Sequence, residues 1–363
     1  MSGRRAFVLA AGVLVGLLGA GGGAEGGRSV SSVACVWKSF PVPLPHAAGS
    51  LPRVTTISAA SSHDVWATGV STRTAPAFVR WDGSRWQAVR APGQPSMVAA
   101  RGGDVWAVGR SHRRPVSMRW DGKRWELVST PVGTGSTLDS VAIGPSGQVW
   151  VVGGNDTGSV LVLHRTGSHW SRLAAPTGAY DATAVAAIPG TGDVWLESSD
   201  LGDAPLDLDR WTGSDWQINN LLVPAAELSI GGPTLAASSA NDAWVGATET
   251  DNDGHNHPLL VHWDGTTWAA ADAPNPGGNS RLNGVADRSK SDAWAVGTYV
   301  SHKRLFSFVL HWNGKSWTRI HAPAHVHRQQ RGRSVPGNSA VTVVPGSNQI
   351  WVSGGTLDRG VCR

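Results

Sequence analysis

The sequence predicts an all-β fold: a seven-bladed β-propeller whose last blade is closed by a strand from the N-terminus. Three observations carry that prediction. A turn-plus-tryptophan phrase recurs seven times, at Trp66 (DVWATG), Trp106 (DVWAVG), Trp150 (QVWVVG), Trp195 (DVWLES), Trp244 (DAWVGA), Trp294 (DAWAVG) and Trp351 (QIWVSG). A WDG-like hairpin follows six of them, at Trp81, Trp120, Arg165, Trp211, Trp263 and Trp312, each with a second tryptophan five residues on. The period, roughly 40 to 57 residues between strand-like flanks, is that of a propeller blade. Third, the seventh phrase has no second tryptophan after it, while Trp37 stands near the start with no hairpin before it.

Each repeat divides into four short strands. Strand A is small and apolar (VTTISAAS from Val54, TAVAAIPG from Thr183), because innermost strands crowd around a central channel. A tight turn follows with Asp64, Asp104, Asp193, Asp242 or Asp292, and Gln148 or Gln349 in the other two copies. An Asp there is expected to bond backbone N–H groups across the turn. Strand B carries the first tryptophan. Strand C is apolar up to a basic residue: Arg80, Arg119, His164, Arg210, His262 or His311. The hairpin between strands C and D has Gly third in every copy (Gly83, Gly122, Gly167, Gly213, Gly265, Gly314), supplying the positive φ of a tight turn. Strand D ends near a proline, which cannot donate to a ladder and so suits an outer edge. The repeated basic residue reads as framework, by cation–π stacking or by pairing with a turn Asp between neighbouring blades.

The seventh blade is split. SAVTVV (339–344) gives its strand A, IWVSGG from Ile350 its strand B and GVCR a short strand C. CVWKSFPVP (Cys35 to Pro43) supplies strand D, so blade seven comprises 339–363 plus 35–43 and the propeller spans 35–363. Cys35 and Cys362 then meet where the other blades have a covalent hairpin, and a disulfide between them is expected. The rival reading is a lipoprotein acylated at Cys35; against it, Ser32 stands where a lipobox has Leu.

Residues 1–24 read as a secretory signal and 25–34 as a short linker. Arg4 and Arg5 form the charged start, Ala6 to Ala20 the apolar stretch, and small residues around Ala20 and Ala24 offer cleavage sites. That stretch is too short to span a bilayer comfortably, and nothing later resembles a membrane helix. The expectation is export to the extracellular space or cell envelope, with no membrane insertion.

Composition excludes several function classes. All 19 Trp occupy repeat positions, which leaves none for a stacking site outside the framework. The net charge of +5 partly reflects Arg4, Arg5 and Arg28 against Glu25, so the remainder has only a mild basic excess. Nucleic-acid binding needs a concentrated basic stripe, and nucleic acid is not an expected partner. No cofactor is expected, and the chain is expected to be a monomer.

With the hairpin residues in view, the repeat resembles those of secreted bacterial β-propellers of the Asp-box and kelch-like groups. Asp-box proteins also place an Asp, a Gly and a Trp on the hairpin between the third and fourth strands, here Asp82, Gly83 and Trp86, again Asp121, Gly122 and Trp125, and again Asp264, Gly265 and Trp268. The spacing departs from the usual Asp-box, since Asp and Gly are adjacent. The resemblance covers residues 35 to 363 and implies architecture alone. The Gly-His signature of WD40 repeats is absent.

Function is expected where the copies disagree. The A–B and C–D turns share one face of a propeller, the B–C and D–A connections the other. C–D length is invariant, whereas the distance from a second tryptophan to the next first one runs from 20 (Trp86 to Trp106) to 34 (Trp317 to Trp351). Loop variation on a fixed scaffold is where binding resides. On that variable face blades four and five carry Glu197, Asp200, Asp203, Glu249, Asp251 and Asp253. Blades two and six carry Arg110, Arg113, Arg114, Lys303 and Arg304, and the connection before blade seven adds Arg328, Arg331 and Arg333. These eight cations are the candidate binding residues, for an extracellular glycan or protein. No metal is expected. TDNDGHNH offers weak ligand candidates in Asp251, Asp253, His255 and His257, but lacks the later acids of a calcium loop.

Catalysis has one candidate. Glu197 follows strand B's Trp195 by two positions, where other copies have Thr, Val, Gly or Ser, and a carboxylate there suits a general acid. A sialidase-like site wants a Tyr nucleophile, and only Tyr180 and Tyr299 exist; a copper–radical oxidase wants a Tyr–Cys crosslink, and both Cys lie at the closure. The leading expectation is a secreted, non-catalytic binding propeller, the alternative a glycan-active hydrolase or lyase using Glu197 and neighbouring acids.

Overall fold

The computed structural model describes residues 33–44, 52–70, 77–199, 206–221, 234–251, 253–323, 327–328 and 338–363. The signal segment lies outside the described residues, as do Asp200, Asp203, Arg331 and Arg333. Seven antiparallel sheets follow one another, each with its first strand innermost: 53–90, 94–128, 140–173, 181–217, 234–271, 279–320, and 340–362 joined by 35–41. Inner strands of successive sheets touch all the way round, the seventh against the first included. The molecule is a seven-bladed β-propeller.

The strand at Cys35–Pro41 pairs with Thr356–Cys362, with Cys35 opposite Cys362 and Trp37 opposite Gly360. The Cys35–Cys362 disulfide is formed across a sequence separation of 327. Trp37 acts as a closing tryptophan: its Nε1–H donates to His321 O of blade six at 2.9 Å, as Trp216 Nε1–H of blade four donates to Ala174 O of blade three at 2.8 Å. The register also places Arg359 opposite Trp351, so blade seven has its own repeated basic residue, which the missing hairpin hides in the sequence.

The apolar core is divided into seven wedges, one per blade junction. Six of the seven strand-B tryptophans face the hairpin of the next blade, Trp294 before the split blade being the exception: Trp66 packs on Trp120 and Trp125, Trp195 on Trp263 and Trp268, Trp244 on Trp312 and Trp317. Trp351 packs on Trp81 and Trp86 and so closes the circle. Arg165, the one departure from an opening tryptophan, sets its guanidinium 4.8 Å over Trp106 and keeps the stack filled.

Two expected roles are corrected in detail. The turn Asp binds side chains: Asp64 Oδ1 accepts from Trp66 Nε1 (2.9 Å) and Arg80 Nε (2.8 Å). Capping of backbone N–H groups belongs to the hairpin Asp instead, as Asp82 Oδ1 accepts from Ser84 N and Arg85 N, both at 2.9 Å. The basic residue pairs with the turn Asp of its own blade (Arg80–Asp64, Arg210–Asp193, His262–Asp242) and not across blades. Cation–π contact does cross, since Arg80 lies over Trp66 of its own blade and Trp120 of the next. The hairpin glycines all adopt positive φ, from 58° at Gly167 to 107° at Gly265.

Inner strands are also bonded between blades. Ser58 Oγ accepts Ala100 N (2.9 Å) and Ser140 Oγ accepts Val185 N (3.2 Å). At the junction of blades five and six an acid does this work: Asp287 Oδ2 accepts Ser238 N at 2.8 Å. Asp287 is buried where other blades have Ala, Ile or Val. Burial, then the neighbouring Asp242 carboxylate, push it from 3.8 up to about 9. A raised carboxyl favours the fold fully only below its unfolded pKa, and that contribution is lost as pH rises through about 9. Asp287→Asn keeps the acceptor for Ser238 N and offers Asp242 a permanent donor. We therefore expect it to raise the melting temperature at pH 8.5 by several degrees and far less at pH 4. A gain independent of pH, or a loss at pH 8.5, would count against this assignment.

Candidate functional site

The B–C and D–A connections form the variable face, and the structure places three chemistries on or under it. The first is acidic. Glu197 lies in strand B of blade four, opposite Ala184 and Leu208, and is 2% exposed. The Thr183 hydroxyl donates to its Oε2. Burial raises the carboxyl from 4.5 to about 7, with Asp181 and Asp207 adding like charge. Asp207 and Asp209 of strand C are also buried, and burial raises Asp209 to about 6. Sequence reasoning missed this pair, although LDLDRW departs visibly from the apolar strand C of other blades.

Cross-strand partners share a sheet face, so the registers sort these acids. Glu197 goes with Leu208, which packs against blade five; Asp209 goes with Leu196, which packs against blade three. Glycoside cleavage by paired carboxyls needs both to flank one bond in an open cleft. Here Glu197 and Asp209 point into different inter-blade cores.

The second chemistry is the blade-five hairpin. Asp251 Oδ1 accepts from Asp253 N (3.0 Å) and His255 N (2.8 Å). His257 Nε2–H donates to Asp251 Oδ2 at 2.7 Å, and Asn275 Nδ2 donates to His257 Nδ1 at 2.7 Å. The His257 bond, followed by the backbone donors, lowers Asp251 to about 2. Ligand atoms of Asp251, Asp253 and His255 lie within 4.8 Å of one another. Both ring nitrogens of His257 are engaged, by Asp251 and Asn275, and both Asp251 oxygens already serve as acceptors that order the loop.

The third is basic. Arg110, Arg113 and Arg114 sit on the B–C hairpin of blade two, and Lys303 and Arg304 on that of blade six; all five are exposed. A groove of about 610 Å³ runs between the Ala91–Gln94 connection and Arg110–Arg113. Arg328 belongs to a short strand, His327–Arg328, that pairs with Arg304 and Leu305. The structure thus brings Arg328 to the blade-six hairpin and keeps the blade-two cations apart, beyond blades seven and one.

No family model matches the chain, and no curated protein does. Solved structures do. A structure described as YCF48 bound to D1 peptide is 15% identical, with a TM-score of 0.57 over 91% of this chain and 99% of that one. The GH74 xyloglucanase from Xanthomonas campestris is 15% identical, with a TM-score of 0.59 over 88% of this chain and 52% of that one. A polysaccharide lyase, the PL25 ulvan lyase, is 10% identical, with a TM-score of 0.54 over 90% and 98%. At these identities the likeness is one of fold, shared by proteins that bind and proteins that cleave.

Proposed function

We propose that this chain is a secreted, monomeric, non-catalytic binding propeller that engages a surface glycan or protein through its B–C and D–A loops. The observation that carries the reading is a contrast in how charge is used. Three framework arginines are paired, Arg80 with Asp64, Arg119 with Asp104 and Arg210 with Asp193. Among the described residues, no ion pair holds Arg110, Arg113, Arg114, Lys303 or Arg304. Arg110 and Arg113 line the groove beside blade two, and solvated cations there and on the blade-six hairpin are free to meet a ligand. Export agrees with the disulfide, and among the described residues no helix is long and apolar enough to cross a membrane.

The alternative, a glycan-active hydrolase or lyase, has one favourable observation: Glu197, raised to about 7, holds the proton that a general acid needs near neutral pH. A glycan array and polysaccharide pull-down with the whole chain and with Glu197→Gln separates the two. We expect capture without chain shortening, and equal capture by the variant. Turnover that disappears in Glu197→Gln while capture persists would overturn the non-catalytic reading.

A further inference from the structure

We infer that the B–C hairpins of blades two and six are a matched pair of cationic tips that hold an anionic polysaccharide, a polymer bearing uronate or sulfate groups, across the rim of the ring. The inference rests on the binding reading above and supplies its ligand class.

The two hairpins are built alike. Ser111-His112-Arg113-Arg114 and Ser301-His302-Lys303-Arg304 each close with the first and fourth residues paired. Both central residues are left-handed: φ is 49° and 67° at His112 and Arg113, 48° and 60° at His302 and Lys303. Positive φ at both centres defines a type I′ turn, which strongly favours Asn-Gly. Bulky L-residues there are strained. These four are the only non-glycine residues with positive φ among the described ones, whereas the B–C turns of blades three and five use Gly158 and Gly254. In each tip the serine hydroxyl lies beside His Nδ1, at 3.2 and 3.0 Å.

Strain persists in a fold when packing or function holds it. These side chains are exposed, so they bury nothing in return. The same His-cation dipeptide, placed twice in the same costly turn, points to a role outside the chain.

The ligand class follows from what surrounds the tips. Neutral sugars and nucleobases are recognised by stacking on open aromatic faces. Among the described Phe, Tyr and Trp residues Tyr180 is the one that is exposed, and it precedes Asp181 in the acidic sector. A sugar polymer with its own negative charge needs no such platform. Blades six, seven, one and two are consecutive in the ring, so a chain crossing seven and one meets cations at both ends. It also avoids Asp139 and Asp181 of blades three and four, where burial, and after it the Asp181 carboxylate, raise the pKa of Asp139.

The test uses the whole chain over immobilised polygalacturonate, neutral dextran and single-stranded DNA, by interferometry at about 50 mM and about 300 mM salt. The variants are His112→Asn with Arg113→Gly, His302→Asn with Lys303→Gly, and all four together. Each installs the favoured type I′ dipeptide, so the melting temperature should hold or rise while the tip loses its His and its central cation. We expect salt-sensitive binding of polygalacturonate over dextran and DNA, weakened about 10-fold by either tip and about 100-fold or more by both, as for two linked contacts. Unchanged affinity in the fourfold variant overturns the inference. DNA bound as tightly as polygalacturonate overturns the polysaccharide assignment in favour of unselective attraction for polyanions. Capture of dextran or of a protein, unaltered in the fourfold variant, overturns the tips and leaves the binding reading standing. Chain shortening abolished by Glu197→Gln sinks the non-catalytic reading instead, and a tip effect measured on that variant still supports the tips.

Discussion

Replacing Cys35 and Cys362 together by alanine is expected to cost the fold about 2–5 kcal/mol, the usual range for losing a native disulfide, and to lower the melting temperature by about 3–7 °C for a domain of this size. The bridge closes a loop with a separation of 327 residues, and loop-closure entropy grows with length. Blade seven is the only blade whose outer strand lacks a covalent hairpin to its neighbour. That strand has other holds: seven register pairs with Thr356–Cys362, the Trp37 bond to His321 O, and Phe40 packed on Trp81 and Trp351. The bridge is therefore expected to govern how often the strand detaches rather than whether the ring forms. Hydrogen exchange should rise first in 35–41 and 356–362, ahead of global unfolding. Unbridged protein with unchanged exchange in those segments would show that the ladder and Phe40 suffice alone.

The repeat made the architecture readable because a propeller writes each blade into the chain at one period. What it could not show is register where the period breaks. Arg359 and Gly360 stand at the positions of Arg210 and Trp211, yet no WDG hairpin follows to mark them; only the pairing of Trp351 with Arg359 reveals the match. Gly360 stands where other blades have an opening tryptophan, and a Cβ there would meet the Trp37 ring at 3.0 Å and Ile350 at 3.1 Å, so a larger residue would have to push the borrowed strand's tryptophan aside. Partner choice was similarly hidden. A turn Asp bonds backbone in an isolated loop, but here the Trp66 indole and the Arg80 guanidinium reach Asp64 first.

The candidate site was legible as charge and not as conformation. Sequence places Arg113, Arg114, Lys303 and Arg304 on two loops, where the plainest reading is solvated surface charge. Backbone angles distinguish these tips from ordinary loops, and no composition encodes them. Buried acids posed the converse difficulty: Glu197 stands out against its repeat neighbours and LDLDRW against the apolar strand C of other blades, but only the fold shows that Asp207, Asp209 and Asp287 are buried.

Trp66→Ala is expected to cost about 3–5 kcal/mol, within the range for removing a buried aromatic. Trp66 is fully buried between blades one and two, with Trp125 at 5.2 Å edge-to-face and Trp120 at 4.8 Å. Truncation opens a cavity in a wedge that only two blades can collapse, and it strands Asp64, which loses its indole donor while keeping Arg80. Trp66→Phe refills part of the space without the N–H, so it should fall between wild type and alanine. The difference between the two variants then reports the cavity, and what remains in Phe includes the Asp64 bond. A double-mutant cycle with Trp125→Ala isolates the ring contact, expected to couple at about 0.5–1.5 kcal/mol. Six of the seven blade junctions reuse this packing, and the two inner strands that it joins here, 53–61 and 94–101, are also linked by Ser58 and Ala100 N, so the loss should spread beyond one wedge. Urea unfolding in a single transition with a lower midpoint and an unchanged slope would show the ring failing as a unit. A slope that falls in Trp66→Ala would mean that blades one and two part before the rest, and that the seven wedges are independent.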